Sequence, residues 1–310
     1  GEVVAVGEAV TQFKVGDIAG GGKTDCFARY VIFNTDRKSL PVTPVYPMPN
    51  GYTKPEAAAM FASYATALWG LRDLAQLQAG ETVLIHGAAG GVGVAAINLA
   101  KTIGAKVIAA AGTETKREFL LNLGADHVIN SRTLDFGVEV MRLTGGKGVE
   151  VVFNSVGGGV VPISFEALAD LGRFVEIGKA EVYNGGHLDL RHFDRGISYL
   201  TLDLDFLGSS NPAKYYALID EVWKLGNSGY LKPFPTTVFG ADNITEAFNY
   251  LSRSRQIGKV VIDLNQLPVV SSIQVRKQAL SADKVVLITG GLGGVGLMLA
   301  NWLVDQGLLE

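Results

Sequence analysis

Residues 84–93 of the chain read LIHGAAGGVG and carry four glycines. The loop follows an apolar run, ETVLIHG, and precedes a helix-forming run with small side chains on one side. Glycines between a strand and a helix permit a tight turn, let backbone N–H groups reach a pyrophosphate, and allow close helix packing. The spacing therefore predicts a dinucleotide site; a tight turn that binds nothing is the alternative. The expected contacts are Gly90, Gly91, Val92 and Gly93.

The residues after the next predicted strand indicate which dinucleotide is bound. That strand, AKVIAAAG, ends in Ala and Gly, where an NAD site normally places an acidic residue for the ribose 2′-hydroxyl. It is followed by Thr113, Lys116 and Arg117. One hydroxyl and two cations favour a 2′-phosphate, and hence NADP(H). In the alternative, the cations only decorate an exposed helix and Glu114 accepts the ribose hydroxyl.

A second glycine loop, LITGGLGGVG, occupies residues 287–296 and again lies between an apolar run and a helix-forming run. One strand and one helix cannot form a stable sheet alone. We expect this segment to be poorly packed or docked on the rest of the protein.

Composition limits the possible partners and sites. The 310 residues carry 27 Lys and Arg against 30 Asp and Glu, so no basic field favours nucleic acid or an anionic membrane. A single cysteine, Cys26, excludes an internal disulfide and favours the cytoplasm. Four histidines and one cysteine are too few for the usual zinc sites, so no metal is expected.

The apolar pattern predicts an α/β core inside a mostly β domain. From Glu81 onward, strand-like and helix-like runs alternate, which predicts a doubly wound parallel sheet, the Rossmann arrangement. The first fifty residues contain short β-branched runs, VVAVG, VGD and ARYVIF, that predict strands. PTTVFG and GKVVIDL predict further strands after the core.

Several separated motifs resemble a known family. The runs GEVVAVGEAVTQFKVGD, CFARYVIF and GETVLIHGAAGGVGVAAINLAKTIGAKVIAAAGTETKREFL resemble medium-chain dehydrogenase/reductases. VVFNSVGG, GRFVEIGK and SRTLDF are most similar to the enoyl reductase domains of modular polyketide synthases and animal-type fatty acid synthases. The resemblance covers about residues 1–264. It implies a Rossmann domain inserted in a GroES-like domain that is truncated at its N-terminus, and NADPH binding without zinc.

The resemblance also implies a division of the chain. The expected segments are 1–55, a partial GroES-like substrate domain; 56–228, the NADP-binding Rossmann domain; 229–264, the return to the substrate domain; 265–283, a linker; and 284–310, the start of a ketoreductase domain. The last assignment follows from the similarity of the second glycine loop to the TGxxGxxG loop of short-chain reductases.

The implied activity is NADPH-dependent reduction of the α,β-double bond of enoyl thioesters carried on acyl carrier protein. The implied partners are that carrier and neighbouring synthase domains, including a ketoreductase. Two alternatives remain: a free-standing quinone or enone oxidoreductase, and a catalytically silent NADP-binding scaffold.

Further site residues follow from the resemblance. It places Lys179 near the nicotinamide with Asp205 as its acidic partner, although Lys179 could be a solvated lysine and Asp203 could take the place of Asp205. Thr66 would lie near the nicotinamide, or be an ordinary buried helix hydroxyl. The remaining implied cofactor contacts are Arg132, Asn154, Ser155, Gly178 and Lys259.

Overall fold

The computed structural model describes residues 1–22, 26–35, 44–179, 183, 185, 187–265, 285–289 and 292–305. The chain divides into two compact units, Gly1–Leu267 and Pro268–Glu310. The described strands are β1 (Ala19–Gly21), β2 (Val45–Pro47), β3 (Thr82–Ile85), β4 (Lys106–Ala111), β5 (His127–Asn130), β6 (Val149–Asn154), β7 (Leu168–Glu176), β8 (Ser198–Thr201), β9 (Thr236–Gly240) and β10 (Lys259–Asp263). The described α-helices are α1 (Lys54–Ala67), α2 (Gly91–Ile103), α3 (Glu114–Leu123), α4 (Phe136–Leu143), α5 (Val160–Glu166), α6 (Leu204–Ser210), α7 (Pro212–Asn227), α8 (Ile244–Ser252) and α9 (Gly294–Asp305).

The centre of the first unit is a parallel sheet with the strand order β5-β4-β3-β6-β7-β8. The chain winds outward from β3 through β4 to β5, then returns to the other side of β3 and continues through β6. Such a reversal opens a crevice at the carboxyl ends of the two central strands, where ligands of open α/β sheets bind. The doubly wound parallel sheet predicted from the sequence is confirmed.

The two faces of this sheet carry separate hydrophobic cores, because successive side chains of a strand point to opposite faces. In β3, Val83 and Ile85 join the core that contains α1 and α2. Leu84 joins the core that contains α4 and α5. All three side chains are fully buried, so the strand formed by the short apolar run TVLI is covered on both faces.

The helices that border the crevice begin and end where their residue types favour it. Thr113 caps the start of α3 with its side chain, as a hydroxyl at this position can accept a backbone hydrogen bond. Helices α2 and α3 end at Gly104 and Gly124, with φ of 91° and 110°. Glycine adopts this left-handed conformation without a steric cost, so each helix ends at the residue before its glycine.

Outside the parallel sheet, two small sheets are described. Strand β1 pairs with β2 in the antiparallel direction, and β9 pairs with β10 in the parallel direction. The predictions of strands at VVAVG, VGD and ARYVIF were wrong: residues 3–7, 15–17 and 28–33 form no strand, although Glu2 makes an isolated bridge with Ile18. A β-branched run becomes a strand only where a neighbouring strand supplies a continuous hydrogen-bond ladder.

The second unit differs from its sequence prediction. Residues 285–289, in the apolar run expected to form a strand before the second glycine loop, form no strand, whereas α9 begins within the glycine run as expected. The predicted linker, 265–283, lies outside the described residues except for Asn265. Across the described parts of both units, no helix has the length and apolar character needed to cross a membrane.

Candidate cofactor and active site

The glycine loop between β3 and α2 is built so that side chains would not fit. A Cβ atom on Gly93 would lie 2.4 Å from the carbonyl oxygen of Ala88, which is backbone and has little freedom to move. Gly87 has a φ of +59°, and a Cβ there would lie 2.6 Å from the Ser155 hydroxyl oxygen. The loop therefore brings bare backbone to the carboxyl ends of β3 and β6, as a pyrophosphate site requires.

The segment before β10 joins this loop. Gly258 forms a bridge with Gly90, and its N–H donates to the carbonyl of Ala89 at 2.8 Å. The aliphatic stem of Lys259 then lies against Gly91, where an added Cβ would come within 2.5 Å of the lysine Cδ. Gly90, Gly91 and Lys259, three of the predicted cofactor residues, are thus brought together.

The predicted 2′-phosphate residues also converge, at the end of β4. The Arg132 side chain lies over Gly112, where a Cβ would be 2.9 Å from its Nε. The Lys116 ammonium donates to the carbonyl of Ser254 at 2.5 Å. Burial lowers the pKa of Lys116, and the positive charge of Arg132 lowers it further. Thr113 is the N-cap residue of α3, beside them.

The side chains of Arg117 and Glu114 bear on the alternative in which Glu114 accepts a ribose hydroxyl and the cations are only exposed. Arg117 turns toward the protein: its guanidinium donates to the Ala111 carbonyl at 3.2 Å and pairs with Glu114. The Glu114 carboxylate is therefore engaged by a cation on its own helix. A ribose hydroxyl would compete with that ion pair, whereas in the described part of the chain neither Lys116 nor Arg132 is paired with an acidic side chain.

At the ends of β6 and β7, buried polar groups hold the backbone. The side chain of Asn154 is fully buried and donates from Nδ2 to Glu176 at 2.8 Å and to the Val156 carbonyl at 2.7 Å. Glu176 in turn accepts from the Gly178 N–H at 2.6 Å. Asn154 therefore acts here as a support inside the protein, and its direct contact with a cofactor stays a prediction. Ser155 is exposed beside it, with its hydroxyl directed toward the His86 carbonyl at 3.3 Å.

Lys179 follows this support and lies in an acidic setting. Its ammonium is 2.8 Å from Asp203 and 3.6 Å from Asp205. The hydrogen bond that Lys179 donates to Asp203 raises the pKa of Lys179, and the pKa of Asp203 is lowered by the same contact. Asp203 also accepts from the N–H groups of Asp205 and Phe206 at the start of α6, which fixes its carboxylate. Asp203, weighed only as the alternative, is the closer partner of Lys179.

Thr66 lies near the end of α1, just before the chain continues as a different type of helix. Its hydroxyl donates to the Ala62 carbonyl at 2.8 Å, and the residue is buried. This is the ordinary helix contact weighed as the alternative, and a nicotinamide contact stays a prediction. Residues Leu68–Leu74 continue as a π-helix, a form that is rare and often found at functional sites.

His86, at the end of β3, is a structural histidine. Its Nε2 lies 2.8 Å from the Ser164 hydroxyl oxygen, and Phe136 packs edge-on against its ring. Burial lowers the pKa of His86 to about 4, so the ring is neutral at neutral pH. Among the residues that the structure describes, no group of three or more His, Cys, Asp and Glu side chains could hold a metal ion.

Comparison with known proteins identifies the family. A family model described as zinc-binding dehydrogenase matches residues 91–224. The crystal structure of CurK enoyl reductase is similar with a TM-score of 0.74 and 38% identity, covering 85% of this chain and 77% of that chain. The chain belongs to the polyketide synthase enoyl reductases.

Two further comparisons place this enoyl reductase among its relatives. The CurF ER cyclopropanase from the curacin A biosynthetic pathway is 34% identical with a TM-score of 0.70, covering 85% of this chain and 77% of that chain. The mycocerosic acid synthase-like polyketide synthase of Mycobacterium tuberculosis is 37% identical over 99% of this chain. The chain spans 14% of the length of that synthase. The medium-chain dehydrogenase/reductase fold and the oxidoreductase class are thereby confirmed.

Sequence reasoning missed two residues that lie beside the predicted ones at this candidate site. Glu176 is buried and joins Asn154 to the Gly178 backbone, but an acidic residue at the end of a strand gives no signal of this role. Ser63 lies on α1 with its hydroxyl beside Gly91, although the two are distant in the sequence. The run FASYATAL predicts a buried helix, and nothing in it marks Ser63 as different from its neighbours.

Proposed function

We propose that this chain reduces the α,β-double bond of enoyl thioesters carried by acyl carrier protein, with NADPH as the hydride source. The observation that carries the proposal is a shared location. The bare glycine loop, the Lys116 and Arg132 pair, and Lys179 all follow the carboxyl ends of strands in one parallel sheet. These ends lie at a single edge, where open α/β sheets bind ligands.

The residues at that edge fit NADPH. Gly91 and Gly93 let the Lys259 side chain and the Ala88 backbone pack closely against the first turn of α2, whose N–H groups would bind the pyrophosphate. Lys116 and Arg132 would hold the 2′-phosphate, with the Thr113 hydroxyl beside them. An acidic residue for a free ribose hydroxyl is not available from Glu114, whose carboxylate is paired with Arg117.

Bound NADPH would supply a hydride to the β-carbon of the enoyl group. The electrons of the double bond then move toward the thioester oxygen and give an enolate, which takes a proton at the α-carbon. Lys179 is the candidate for stabilising that charge, because its pKa is raised by Asp203 and it stays an ammonium at neutral pH. A proton that Lys179 gives to the α-carbon would be replaced from water.

A binding and turnover experiment tests the cofactor and the substrate together. NADPH and NADH oxidation would be followed with crotonyl-pantetheine and with a quinone. We expect faster turnover of the thioester and a preference for NADPH. Lys116→Glu should weaken NADPH binding by roughly tenfold to a hundredfold, the effect of losing one or two charge-assisted hydrogen bonds, and leave NADH binding nearly unchanged.

Lys147→Glu is the matched control, because Lys147 is exposed and precedes β6 at the opposite edge of the sheet. It makes the same change of charge and should leave both affinities unchanged. Equal binding of NADPH and NADH by the unsubstituted protein, or faster turnover of the quinone, would contradict the proposal. Cofactor binding with no turnover of either substrate would favour a silent scaffold.

The acidic partner of Lys179 can be assigned separately. Lys179→Met should lower kcat/KM by about a hundredfold, as for loss of one oxyanion-stabilising donor. Asp203→Asn keeps a capping side chain for α6 but removes the negative charge, so the pKa of Lys179 should fall. As pH is raised, the activity of this variant should therefore decline at a lower pH than the activity of the unsubstituted protein. Asp205→Asn should change the pH profile less, since its carboxylate is farther from the ammonium.

A further inference from the structure

Three separate elements meet at the start of α2. Cα–Cβ bonds of a helix tilt toward its N-terminus, so a Cβ built on Gly91 marks a point beside the first turn of α2, near its N-terminal end. That point is 3.1 Å from the hydroxyl oxygen of Ser63, on α1, and 2.5 Å from Cδ of Lys259, on β10. A serine hydroxyl and a lysine side chain therefore flank the same helix end from two different elements.

Both side chains lack a partner for their polar group. Ser63 is fully buried, and its hydroxyl oxygen has no hydrogen-bond partner in the described part of the chain. Within the same described residues, the Lys259 ammonium makes no hydrogen bond or ion pair, and burial lowers its pKa. A buried hydroxyl or cation without a partner costs free energy, which a bound anion would offset.

The backbone at this point has the same need. The first residues of α2, Gly91, Val92 and Gly93, have N–H groups without an intrahelical acceptor, and the helix dipole adds positive potential. The polar groups of the residues that meet here can all donate a hydrogen bond: the backbone amides of α2, the Ser63 hydroxyl and the Lys259 ammonium. Such a set accepts an anion with several oxygens and offers nothing that distinguishes one nucleotide base or ribose from another.

We propose that the Ser63 hydroxyl and the Lys259 ammonium, with the N-terminal amides of α2, clamp the pyrophosphate of the dinucleotide. The identity of the ligand rests on the proposed function. The clamp adds Ser63, which lies outside the glycine loop, and ties α1 and β10 to the cofactor. Because NADPH and NADH share the pyrophosphate, the clamp contributes equally to the binding of both.

The test compares three variants by cofactor titration and by thermal unfolding without cofactor. Ser63→Ala should weaken NADPH and NADH binding by the same factor, about tenfold. Its melting temperature should be unchanged or higher, since the hydroxyl removed has no partner. Lys259→Met keeps the apolar stem against Gly91 and should also weaken both cofactors equally, by tenfold or more.

Ser164→Ala is the matched control for a buried serine. Its hydroxyl interacts with His86 and donates to the Val160 carbonyl, so the substitution should lower the melting temperature and leave both cofactor affinities unchanged. Inorganic pyrophosphate should compete with NADH on the unsubstituted protein and compete less well on the Ser63 and Lys259 variants.

Two results would overturn the clamp. One is unchanged affinity for both cofactors in Ser63→Ala; the other is a loss confined to NADPH, which would place the hydroxyl at the 2′-phosphate. Failure of the proposed function is a different outcome, since it would show as equal NADPH and NADH binding or absent thioester turnover in the unsubstituted protein. Absence of any dinucleotide binding there would sink both.

Discussion

The two glycine loops of this chain share ten-residue patterns but differ in structure. In the first, Leu84 lies in β3 between two neighbouring strands and is fully buried. In the second, Leu287 occupies the same place in the pattern, forms no strand, and is 87% exposed. Both patterns are followed by a helix. In both loops a helix begins within the glycine run, whereas a strand precedes only the first loop, where neighbouring strands pair with it.

Replacing the two leucines should give the largest contrast. Leu84→Ala is expected to lower the free energy of unfolding by about 2–5 kcal/mol, because it leaves a cavity between two layers. Leu287→Ala should change it by less than about 0.5 kcal/mol, as for other exposed positions. Urea unfolding followed by circular dichroism measures both. Equal losses would mean that Leu287 is packed in solution and that the two loops are alike.

The pH dependence of stability should separate the loops next. The first carries His86 where the second carries Thr289, and burial lowers the pKa of His86 to about 4. The neutral ring is favoured in the folded state, so its contribution is complete above its ordinary pKa near 6.5 and is lost as pH falls toward 4. We expect unfolding free energy to fall by about 3 kcal/mol over that range.

His86→Thr, which puts the residue of the second loop into the first, isolates this contribution. The variant should be less stable at pH 7, since it loses the contact with Ser164, but its stability should vary less between pH 7 and 4. Urea unfolding across that range provides the measurement. An undiminished pH slope in His86→Thr would show that other groups cause the acid sensitivity.

The smallest expected contrast lies in the two helices. Asn98 of α2 donates to the hydroxyl of Tyr64 at 3.1 Å, whereas Asn301, its counterpart in α9, is exposed. Changing either to Ala gives the same gain in helix propensity. Asn98→Ala should therefore be less stable than Asn301→Ala by about 1 kcal/mol, the value of one hydrogen bond. A difference near zero would show that the Tyr64 contact contributes little.

The parallel core could be predicted from the sequence because its signals are local and repeated. The alternation of apolar runs with helix-forming runs predicted the doubly wound sheet, and the glycines at 87–93 predicted the turn from β3 into α2. Predictions for residues 3–7 and 28–33 were wrong, because the same β-branched types form strands only beside a partner. Local composition does not say whether that partner is present.

The sequence predicted individual residues of the candidate site but did not predict which side chains contact one another. Lys116 was singled out from its position after a strand, and the structure brings Arg132 close to it. Lys179 was placed beside an acidic residue, but the choice between Asp203 and Asp205 depended on where α6 begins. A two-residue difference in sequence changes which carboxylate caps the helix and which faces solvent.

By itself, the sequence determined the glycine turns, the helix caps and the absence of a disulfide framework, since each depends on residue type and short spacing. Only the tertiary structure decided that Ser63, Gly91 and Lys259 meet at one helix end, and that Leu84 and Ile85 lie in a sheet while residues 285–289 form no strand. The physical reason is that hydrogen-bond ladders, burial and charge proximity are properties of pairs of segments, and no single segment contains them.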